Sequence, residues 1–267
     1  MFDDAITPEV LTPLLQTRRL GRSVVYRPEV DSTNRLAKEL ARDGAADGLL
    51  VVADTQSAGR GRLGRSWQTP AGSAIAMSLV LRPNLPARAM PRITLTAAVA
   101  VAEAIEQVTG AAVGIKWPND LQLGGRKLCG ILTEGEPGNF AVLGIGLNVN
   151  VPAAAFGADV RETATSLLIE LGRPVARAAL VAGILRALEC RLDQLLSGDF
   201  ATLLDEWRRY SVTLGRPVRV LSADGSHRFD GVAEAVDEEG ALVVRRADGI
   251  LERVLAGEVS IRPAYGA

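Results

Sequence analysis

The sequence predicts an α+β fold, in which a mixed β-sheet with its helices is followed by a small C-terminal β-barrel. β-prone runs alternate with amphipathic helical stretches along the first part of the chain. From Ile115 onward, short strands are separated by tight turns, which is typical of antiparallel pairing. After Tyr210 the chain changes to short β-prone runs alone. We therefore predict two domains, 1–210 and 211–267, with the boundary near Ser211.

The first elements are predicted from residue spacing and from residues that begin helices. Ser23 to Tyr26 is β-prone and is followed by Asp31-Ser32-Thr33-Asn34, whose residue types are good helix N-caps. Leu36, Ala37, Leu40 and Ala41 then mark one face of a helix. The next predicted elements are a buried strand at 49–53, a loop at 56–72, a strand at 74–81 and a helix at 93–105.

A hairpin and a glycine-rich strand follow. The predicted turn at Gly124-Gly125 joins Leu121–Leu123 to a strand at 127–134. In the strand at 140–149, regular pleating turns Ala141, Leu143, Ile145, Leu147 and Val149 to one face and Val142, Gly144, Gly146 and Asn148 to the other. Because glycine has no side chain, the second face is predicted to let a ligand lie directly on the sheet.

The last part of the chain is predicted to contain two helices and then the barrel. The helices are at 178–195 and 200–210, the second through Phe200, Leu203, Leu204 and Trp207. The barrel strands are predicted at 218–221, 232–235, 242–245 and 251–255.

Composition excludes several classes of protein. Hydrophobic residues make up 48% and charged residues 23% of 267 residues, as in a globular protein. The net charge of −1 argues against general affinity for nucleic acid or membranes. The sequence shows neither a secretory signal nor an apolar run long enough to span a bilayer. Cys129 and Cys190 cannot form a disulfide framework, so we expect a cytoplasmic protein.

The chain has a single histidine, His227. A hydrolase with a Ser-His-Asp or Cys-His arrangement would have to use it, and the sequence has no G-x-S-x-G motif. No Cys or His spacing predicts a zinc site. Any chemistry is therefore expected to depend on Arg, Lys and Asp, with a metal brought by the substrate.

The segment from Gly59 to Trp67, GRGRLGRSW, matches the dinucleotide-binding pattern G-x-G-x-x-G. That pattern requires a strand directly before it, a helix directly after it and an acidic residue about 20 positions on. None of these is present, and no G-K-[ST] follows for a Walker A loop. The segment is therefore predicted to be a glycine-rich loop of another kind.

The interval from Thr55 to Ala102 has no Asp or Glu and carries six arginines. They are Arg60, Arg62, Arg65, Arg82, Arg88 and Arg92. Surface arginines on a loop are one interpretation. An anion site is favoured, because guanidinium groups bind phosphate or carboxylate through paired donors and the glycines expose backbone N–H groups.

A second group of candidate residues is KWPND, from Lys116 to Asp120, followed by Arg126-Lys127 at the hairpin. Two lysines and a carboxylate are predicted to lie near the ends of neighbouring strands. Taken singly, Asp120 fits an Asx-turn and Lys127 an exposed hairpin lysine. Together with the arginine loop and the glycine face, they favour a shared site.

Five motifs in this order, DSTN, QSAGRGRLGRSW, KWPND, RKLCGILTE and GIGLNVN, resemble bacterial biotin protein ligase. The motifs span 24–150, and the resemblance includes the C-terminal barrel. It implies a class II synthetase-like sheet with helices mainly on one face, 1–210 as the biotin- and ATP-binding catalytic domain, and an SH3-like domain at 211–267. About 23 residues precede Val24, too few for the DNA-binding domain of some members, so a ligase that is not a repressor is expected.

The resemblance implies that biotin reacts with ATP, accompanied by Mg²⁺, to give biotinyl-5'-AMP. The biotin then passes to a lysine of a biotin carboxyl carrier domain of a carboxylase. No DNA or membrane partner is implied, and a homodimer is left open. Lipoate–protein ligase is the nearest alternative, followed by a non-catalytic biotin or nucleotide binder and, third, a DNA-binding regulator.

The resemblance also implies roles for individual residues. Those expected to bind biotin are Ser32, Thr33, Asn34, Gln56, Arg60, Gly61, Arg62 and Lys127. Those expected to bind ATP or the adenylate are Arg62, Arg65, Trp67, Lys116, Asn119, Lys127 and Asn148. The catalytic residues are expected to be Arg62, Lys127 and Asp120, with no protein ligand for the metal.

Two features limit what the resemblance implies. Cys129 stands where Ala is common, and burial on a strand is its favoured interpretation. The chain has no Trp between Pro118 and Glu206, where some members cover the adenine with one. The residues that contact adenine therefore stay open.

Overall fold

The computed structural model describes residues 4–256 and 259–263, and for the second range it describes the backbone alone. The helices are α1 (Pro8–Leu11), α2 (Thr33–Arg42), α3 (Met90–Thr109), α4 (Leu167–Leu171), α5 (Arg177–Leu196) and α6 (Phe200–Tyr210). The strands of the first sheet are β1 (Val24–Val30), β2 (Leu50–Gln56), β3 (Ala74–Leu81), β4 (Gly114–Lys116), β5 (Asp120–Leu123), β6 (Arg126–Glu136) and β7 (Phe140–Asn148). Those of the second are β8 (Pro217–Ser222), β9 (His227–Val236), β10 (Leu242–Arg246), β11 (Leu251–Val254) and β12 (Val259–Pro263).

The first sheet has seven strands in the order β1-β2-β3-β7-β6-β5-β4. Only the β1–β2 pair in this order is parallel, so the sheet is mixed. The second sheet has the order β11-β10-β9-β8-β12 and is antiparallel throughout. The predicted α+β fold with a small C-terminal β-domain is confirmed.

The helices lie mainly on one face of the first sheet, as expected. The long helices α3 and α5 pack together there, with α6 against α3, and their apolar faces form the main core. Helix α2 covers the opposite face, where Ala37 and Ala41 pack against Val51, Val80 and Val142. The site described below lies beside α2, because this single short helix leaves much of that face to loops.

The alternation predicted for β7 is confirmed. Its odd-numbered residues from Ala141 to Val149 point into the main core. Val142 joins the cluster under α2, and Gly144 and Gly146 lie on the same face. Strand β7 pairs with both β3 and β6 along its whole length, so this face is held at the centre of the sheet.

Several boundaries differ from the predicted ones for identifiable reasons. β1 continues through Arg27 and Pro28 to Val30, because an edge strand tolerates exposed polar residues and proline. β9 begins at His227, earlier than predicted, since its first residues are exposed and polar. The short α1 and α4 and the last strand β12 were not predicted.

The C-terminal sheet is joined to the first sheet through the segment that follows α6. Ile115 of β4 forms a parallel bridge with Ser211. The backbone N–H of Val212 donates to the carbonyl of Ile115 at 3.0 Å. The Trp117 backbone N–H donates to Thr213 Oγ1 at 2.9 Å. The boundary near Ser211 stays a prediction, with α6 ending at Tyr210 just before it.

Among the described residues, no helix combines the length and the apolar character needed to cross a membrane.

Candidate active site

Strand β6 is the structural centre of the candidate site. The carbonyl of Leu132 accepts a hydrogen bond from Asn34 of α2, and the carbonyl of Ile131 accepts one from the Asn119 side chain. Lys127 lies near the start of the strand, and Glu134 lies towards its end. One strand thus places the DSTN, KWPND and RKLCGIL motifs within reach of each other.

The DSTN motif begins helix α2 and bonds to the end of β2. Ser32 is the N-cap, with extended backbone angles, and its carbonyl accepts the N–H of Leu36 at 3.0 Å. The Thr33 backbone N–H and hydroxyl lie 2.8 and 3.1 Å from Gln56 Oε1. Because its oxygen faces Thr33, the Gln56 amide presents its Nε2 donors elsewhere.

Asn34 is joined to an ion pair behind the helix start. Its Nδ2 donates to Glu134 Oε2 at 2.9 Å, and Lys38 Nζ lies 3.0 Å from Glu134 Oε1. Burial opposes ionisation of Glu134, but the hydrogen bonds from Asn34 and Lys38 outweigh it and lower the pKa of the carboxyl. The carboxylate therefore stays ionised and holds the Asn34 amide.

The lowered pKa predicts a pH-dependent contribution of Glu134 to stability. A carboxyl with a depressed folded-state pKa stabilises the fold above its unfolded pKa, and this contribution is lost as the pH falls through the folded-state pKa. We expect Glu134→Gln to lower the free energy of unfolding by about 1 kcal/mol at pH 7, and the difference from the unsubstituted protein to shrink towards acid pH. Denaturant titrations between neutral and acid pH measure this.

The control for this prediction is Glu136→Gln, which removes an exposed carboxylate paired with Arg42 at 2.9 Å. Its effect is expected to be smaller, because exposed ion pairs contribute little. Equal losses for the two variants at every pH would contradict the assigned role of Glu134.

The GRGRLGRSW segment is a loop closed by backbone hydrogen bonds. Gly61 N–H donates to the carbonyl of Arg65 at 2.7 Å, and Trp67 N–H donates to that of Gly59 at 2.9 Å. Leu63 adopts the left-handed region with φ 55°, which few non-glycine residues do. We call residues 59–67 the arginine flap.

Arg62 fastens the flap to both parts of the molecule. One guanidinium nitrogen donates to Asn119 Oδ1 at 3.0 Å, and the other donates to the carbonyl of Ala256, which follows β11. Burial lowers the pKa of Arg62, an effect that Asp120 opposes and Arg65 reinforces. The group stays cationic at neutral pH, because arginine is effectively always protonated.

Lys127, Asp120 and Trp67 form a second cluster. Lys127 Nζ lies 2.7 Å from Asp120 Oδ1 and 5.6 Å from the centre of the Trp67 ring. Both charged side chains are partly exposed. The cluster therefore places an accessible ammonium group beside an aromatic face, and a carboxylate next to it.

The glycine face is not bare, and the expectation of an open surface on the sheet is wrong for this structure. The Trp67 indole lies over Gly130 and Gly146, where a Cβ on either residue would contact it at 3.3 and 2.7 Å. Asn34 fills the space in front of Gly144. The missing side chains therefore make room for these two residues, and any ligand on this face must share the space with Trp67.

The Trp67 indole has a donor that the described part of the protein leaves unpaired. Its Nε1–H is buried and has no hydrogen-bond partner among the described residues. Such an unsatisfied donor costs about 1–3 kcal/mol, which an acceptor on a ligand would recover.

Asn148 lies at the end of β7, 3% exposed, and its Nδ2 donates to the carbonyl of Thr165 at 2.9 Å. The segment that contains Thr165 pairs with Lys127, since Thr165 N–H donates to the Lys127 carbonyl at 2.9 Å. The backbone of Thr165 therefore connects the Asn148 side chain to the backbone of Lys127.

Cys129 is fully buried on β6, and burial raises the pKa of its thiol. A neutral thiol in apolar surroundings is inert, which confirms the predicted burial on a strand.

A cavity of about 670 Å³ opens between the arginine flap, the start of α3 and the C-terminal sheet. Arg60, Gly61, Arg62, Asn119 and Glu134 line it. Most of the remaining wall is apolar, with Met90, Pro91 and Leu95 from α3. The cavity is large enough for a small organic ligand and has cationic groups on the flap side.

Two arginines of the acid-free interval have structural roles, so the predicted anion site does not include the whole interval. Arg82 donates to the carbonyls of Ala41 and Ala45 at the end of α2, at 2.7 and 3.0 Å. Arg92 donates to the Glu238 carbonyl at 2.7 Å. Both groups complete backbone hydrogen bonding instead of facing the flap.

Four of the predicted residues, Arg60, Gly61, Arg62 and Asn119, line the cavity. Lys127, Asp120 and Trp67 form a cluster that is not part of this lining, and Thr33 and Gln56 meet where α2 begins and β2 ends. Lys116 lies opposite Asp120 in the β4–β5 register, and Arg65 is exposed on the flap. The sequence interpretation missed Ser78 and Glu134, which bond to Thr33 and Asn34. Ser78 offered a signal, because it is the one hydroxyl residue in the apolar run AIAMSLVL.

In the described part of the chain, no group of three or more His, Cys, Asp or Glu side chains is arranged to hold a metal ion.

Comparison with known proteins defines the class of this fold and site. Residues 26–150 match the model of the Biotin/lipoate A/B protein ligase family, and residues 213–262 match that of the Biotin protein ligase C terminal domain. The chain belongs to the biotin/lipoate A/B protein ligase family.

Two relatives and one solved structure show which members of this family the chain resembles. The chain is similar to the biotin--[acetyl-CoA-carboxylase] ligase of Mycobacterium tuberculosis, with 37% identity over 90% of this chain and 91% of that protein. It is also similar to the bifunctional ligase/repressor BirA of Bacillus spizizenii, with 36% identity over 92% of this chain and 76% of that protein. The biotin protein ligase of Aquifex aeolicus, solved with biotin and ATP, superposes with a TM-score of 0.79 at 27% identity, over 91% of this chain and all of that one.

Proposed function

We propose that this protein is an ATP-dependent biotin–protein ligase. It joins biotin to ATP to give biotinyl-5'-AMP and pyrophosphate, and then transfers biotin to a lysine of a biotin carboxyl carrier domain. The observation that supports this most directly is the cluster of Lys127, Asp120 and Trp67, together with the hydrogen bond from Arg62 to Asn119, the residue before Asp120, at the cavity.

The first step joins two anions, so it needs cations. A biotin carboxylate oxygen attacks the α-phosphorus, an O–P bond forms, and the bond to the β-phosphate breaks with release of pyrophosphate. Lys127 and Arg62 would neutralise the carboxylate and the α-phosphate as they approach. Both would act by position and charge.

The second step needs a neutral amine. The carrier lysine attacks the acyl carbon, an amide bond forms, and the C–O bond breaks with AMP as leaving group. Asp120, partly exposed beside Lys127, would orient the incoming lysine and accept its proton. The flap would meanwhile keep water from the mixed anhydride.

The remaining site residues follow the roles implied by the family motifs. Ser32, Thr33 and Gln56 would hold the biotin ring, with Arg60 and Gly61 along the flap. Arg65, Trp67, Lys116, Asn119 and Asn148 would surround the adenylate. We assign Mg²⁺ to the ATP phosphates, since the site carboxylates of Asp120 and Glu134 are already paired with Lys127 and Lys38.

The proposed setting is the cytoplasm, with carboxylase carrier domains as partners and without DNA or membrane contacts. We would test the function with labelled biotin, a purified carboxyl carrier domain and ATP. Label on the carrier only when ATP is present is the expected result. Equal or better transfer of lipoate would favour the lipoate ligase, and absence of AMP formation would favour a non-catalytic binder.

Binding of biotin should be visible in tryptophan fluorescence. Because the Trp67 indole covers the glycine face and has a free N–H, a ligand there must change its surroundings. We expect biotin to alter the emission of the protein and Trp67→Phe to abolish that change. Trp207→Phe, which alters a tryptophan buried in the helical core, is the control and should keep it. An unchanged response in the Trp67 variant would contradict this placement.

A further inference from the structure

We propose that Ser78 is a positioning residue, whose buried hydroxyl sets the donor and acceptor pattern of Thr33 and Gln56 for the ureido end of biotin. This inference rests on the function proposed above. Ser78 lies on β3, is 0% exposed and is directly opposite Gly144 of β7. Its hydroxyl contacts the side chains of Thr33 and Asn34 from within the protein.

The orientation of the Asn34 amide fixes the role of Ser78. Asn34 Nδ2 lies 2.9 Å from Glu134 Oε2 and 3.3 Å from the carbonyl of Leu132. Both of these groups are acceptors, so the nitrogen has to face them. Asn34 Oδ1 then faces Ser78 Oγ at 2.7 Å, and the serine must donate because an amide oxygen cannot.

That donation uses the only hydroxyl hydrogen of Ser78. At its second contact, 2.8 Å from Thr33 Oγ1, Ser78 must accept, and Thr33 donates. Gln56 Oε1 accepts the Thr33 backbone N–H at 2.8 Å and also lies 3.1 Å from the Thr33 hydroxyl. Three oxygen–oxygen contacts therefore share two hydroxyl hydrogens.

The oxygen-rich end of this chain of contacts fits a ligand that supplies N–H donors. Thr33 Oγ1 and Gln56 Oε1 both retain acceptor capacity, while Gln56 Nε2 offers donors. A cyclic urea carries two N–H groups and one carbonyl, which is the complementary set. Asn34, with both amide hydrogens engaged, supports this arrangement from behind, in place of the direct biotin contact implied by the family motif.

The first test is Ser78→Ala in the full chain. Without the serine, Asn34 Oδ1 loses its donor, and the Thr33 hydroxyl turns entirely towards Gln56. We expect the Kd for biotin, measured by calorimetry, to rise about tenfold, the value of one net hydrogen bond. The KM for ATP and the kcat at saturating biotin should stay within about twofold, because these residues do not contact the phosphates.

The matched control is Thr96→Val, which removes another fully buried hydroxyl. Thr96 lies on α3, on the opposite face of the sheet, and donates to the Arg92 carbonyl at 2.7 Å. It should lower the free energy of unfolding as much as Ser78→Ala does, but leave the Kd for biotin unchanged. A purely structural role for Ser78 would make the two variants alike in both measurements.

A second test measures coupling with Thr33. In a Thr33→Val background, Ser78→Ala should raise the Kd little further, because the relay is already interrupted. Should Ser78→Ala fail to fold, Ser78→Cys, with its weak thiol donor, is expected to give an intermediate Kd. A folded Ser78 variant that binds biotin like the unsubstituted protein, or a full additional loss in the Thr33 background, overturns the inference. Absence of biotin binding by the unsubstituted protein would instead overturn the proposed function.

Discussion

Lys127→Ala is expected to reduce biotin-dependent pyrophosphate exchange by at least about 100-fold, the usual effect of removing one group that stabilises charge in a transition state. The Lys127 ammonium is the cation that the structure places beside Asp120 and over the Trp67 ring. Without it, the biotin carboxylate and the α-phosphate would meet with less neutralisation. The exchange of labelled pyrophosphate into ATP measures this first step alone.

Two further variants test whether the exchange rate depends on the positive charge at Lys127 or on any positive charge of the protein. Arg42→Ala removes an exposed cation that pairs with Glu136, and it should leave the exchange unchanged. Lys127→Arg keeps the charge and should restore part of the exchange, because the guanidinium cannot reproduce the geometry of the ammonium. Exchange by Lys127→Ala within a few-fold of the unsubstituted protein would remove the lysine from the proposed mechanism.

The strand pattern of β7 and the position of the flap could be predicted, because both are determined by residues that are close together in the sequence. The alternation of β7 follows from strand geometry. Its odd-numbered residues from Ala141 to Val149 lie on one face, and Val142, Gly144 and Gly146 lie on the other. The flap could be predicted because Gly59, Gly61 and Gly64 interrupt any regular period. Strand pleating and glycine content act over a few residues, so the sequence is sufficient to predict these two features.

The contents of the glycine face depend on tertiary structure and could not be predicted in the same way. Absence of side chains at Gly144 and Gly146 predicts space, but not what fills it. Asn34 and Trp67 come from elements that are distant in sequence, and their positions depend on how α2 and the flap return to the sheet. The open surface that the pattern favours is therefore occupied by protein.

Hydrogen-bond partners were the least predictable part of the site. Ser78 and Asn34 are 44 residues apart, and Asn34 and Glu134 are 100 apart. Their pairing requires β3, α2 and β6 to be correctly placed together. A buried hydroxyl in an apolar strand indicates that a partner must exist, since buried polar groups are nearly always bonded, but not which one.

Arg62→Gly is expected to let biotinyl-AMP escape from the protein before transfer. Arg62 ties the flap to Asn119 on one side and to the Ala256 carbonyl on the other, so glycine removes both attachments and makes the loop more flexible. The intermediate should form more slowly, because one of the two neutralising cations is lost, but it should still form, because Lys127 is retained. After reaction with labelled biotin and ATP, rapid desalting should find most of the label free in the variant and bound in the unsubstituted protein.

Two further variants distinguish the loss of the two Arg62 hydrogen bonds from the loss of its positive charge. Arg88→Gly removes an exposed arginine of the same acid-free interval and should retain the label, since Arg88 lies outside the flap. Arg62→Lys keeps the charge but cannot reach both acceptors with a single nitrogen, so it should release the intermediate partly. Full retention by Arg62→Gly would mean that the flap is closed by other contacts, and release by Arg88→Gly would point to the net charge of the interval. Selective release by the Arg62 variants would show that closure depends on one side chain bridging the catalytic sheet and the segment after β11.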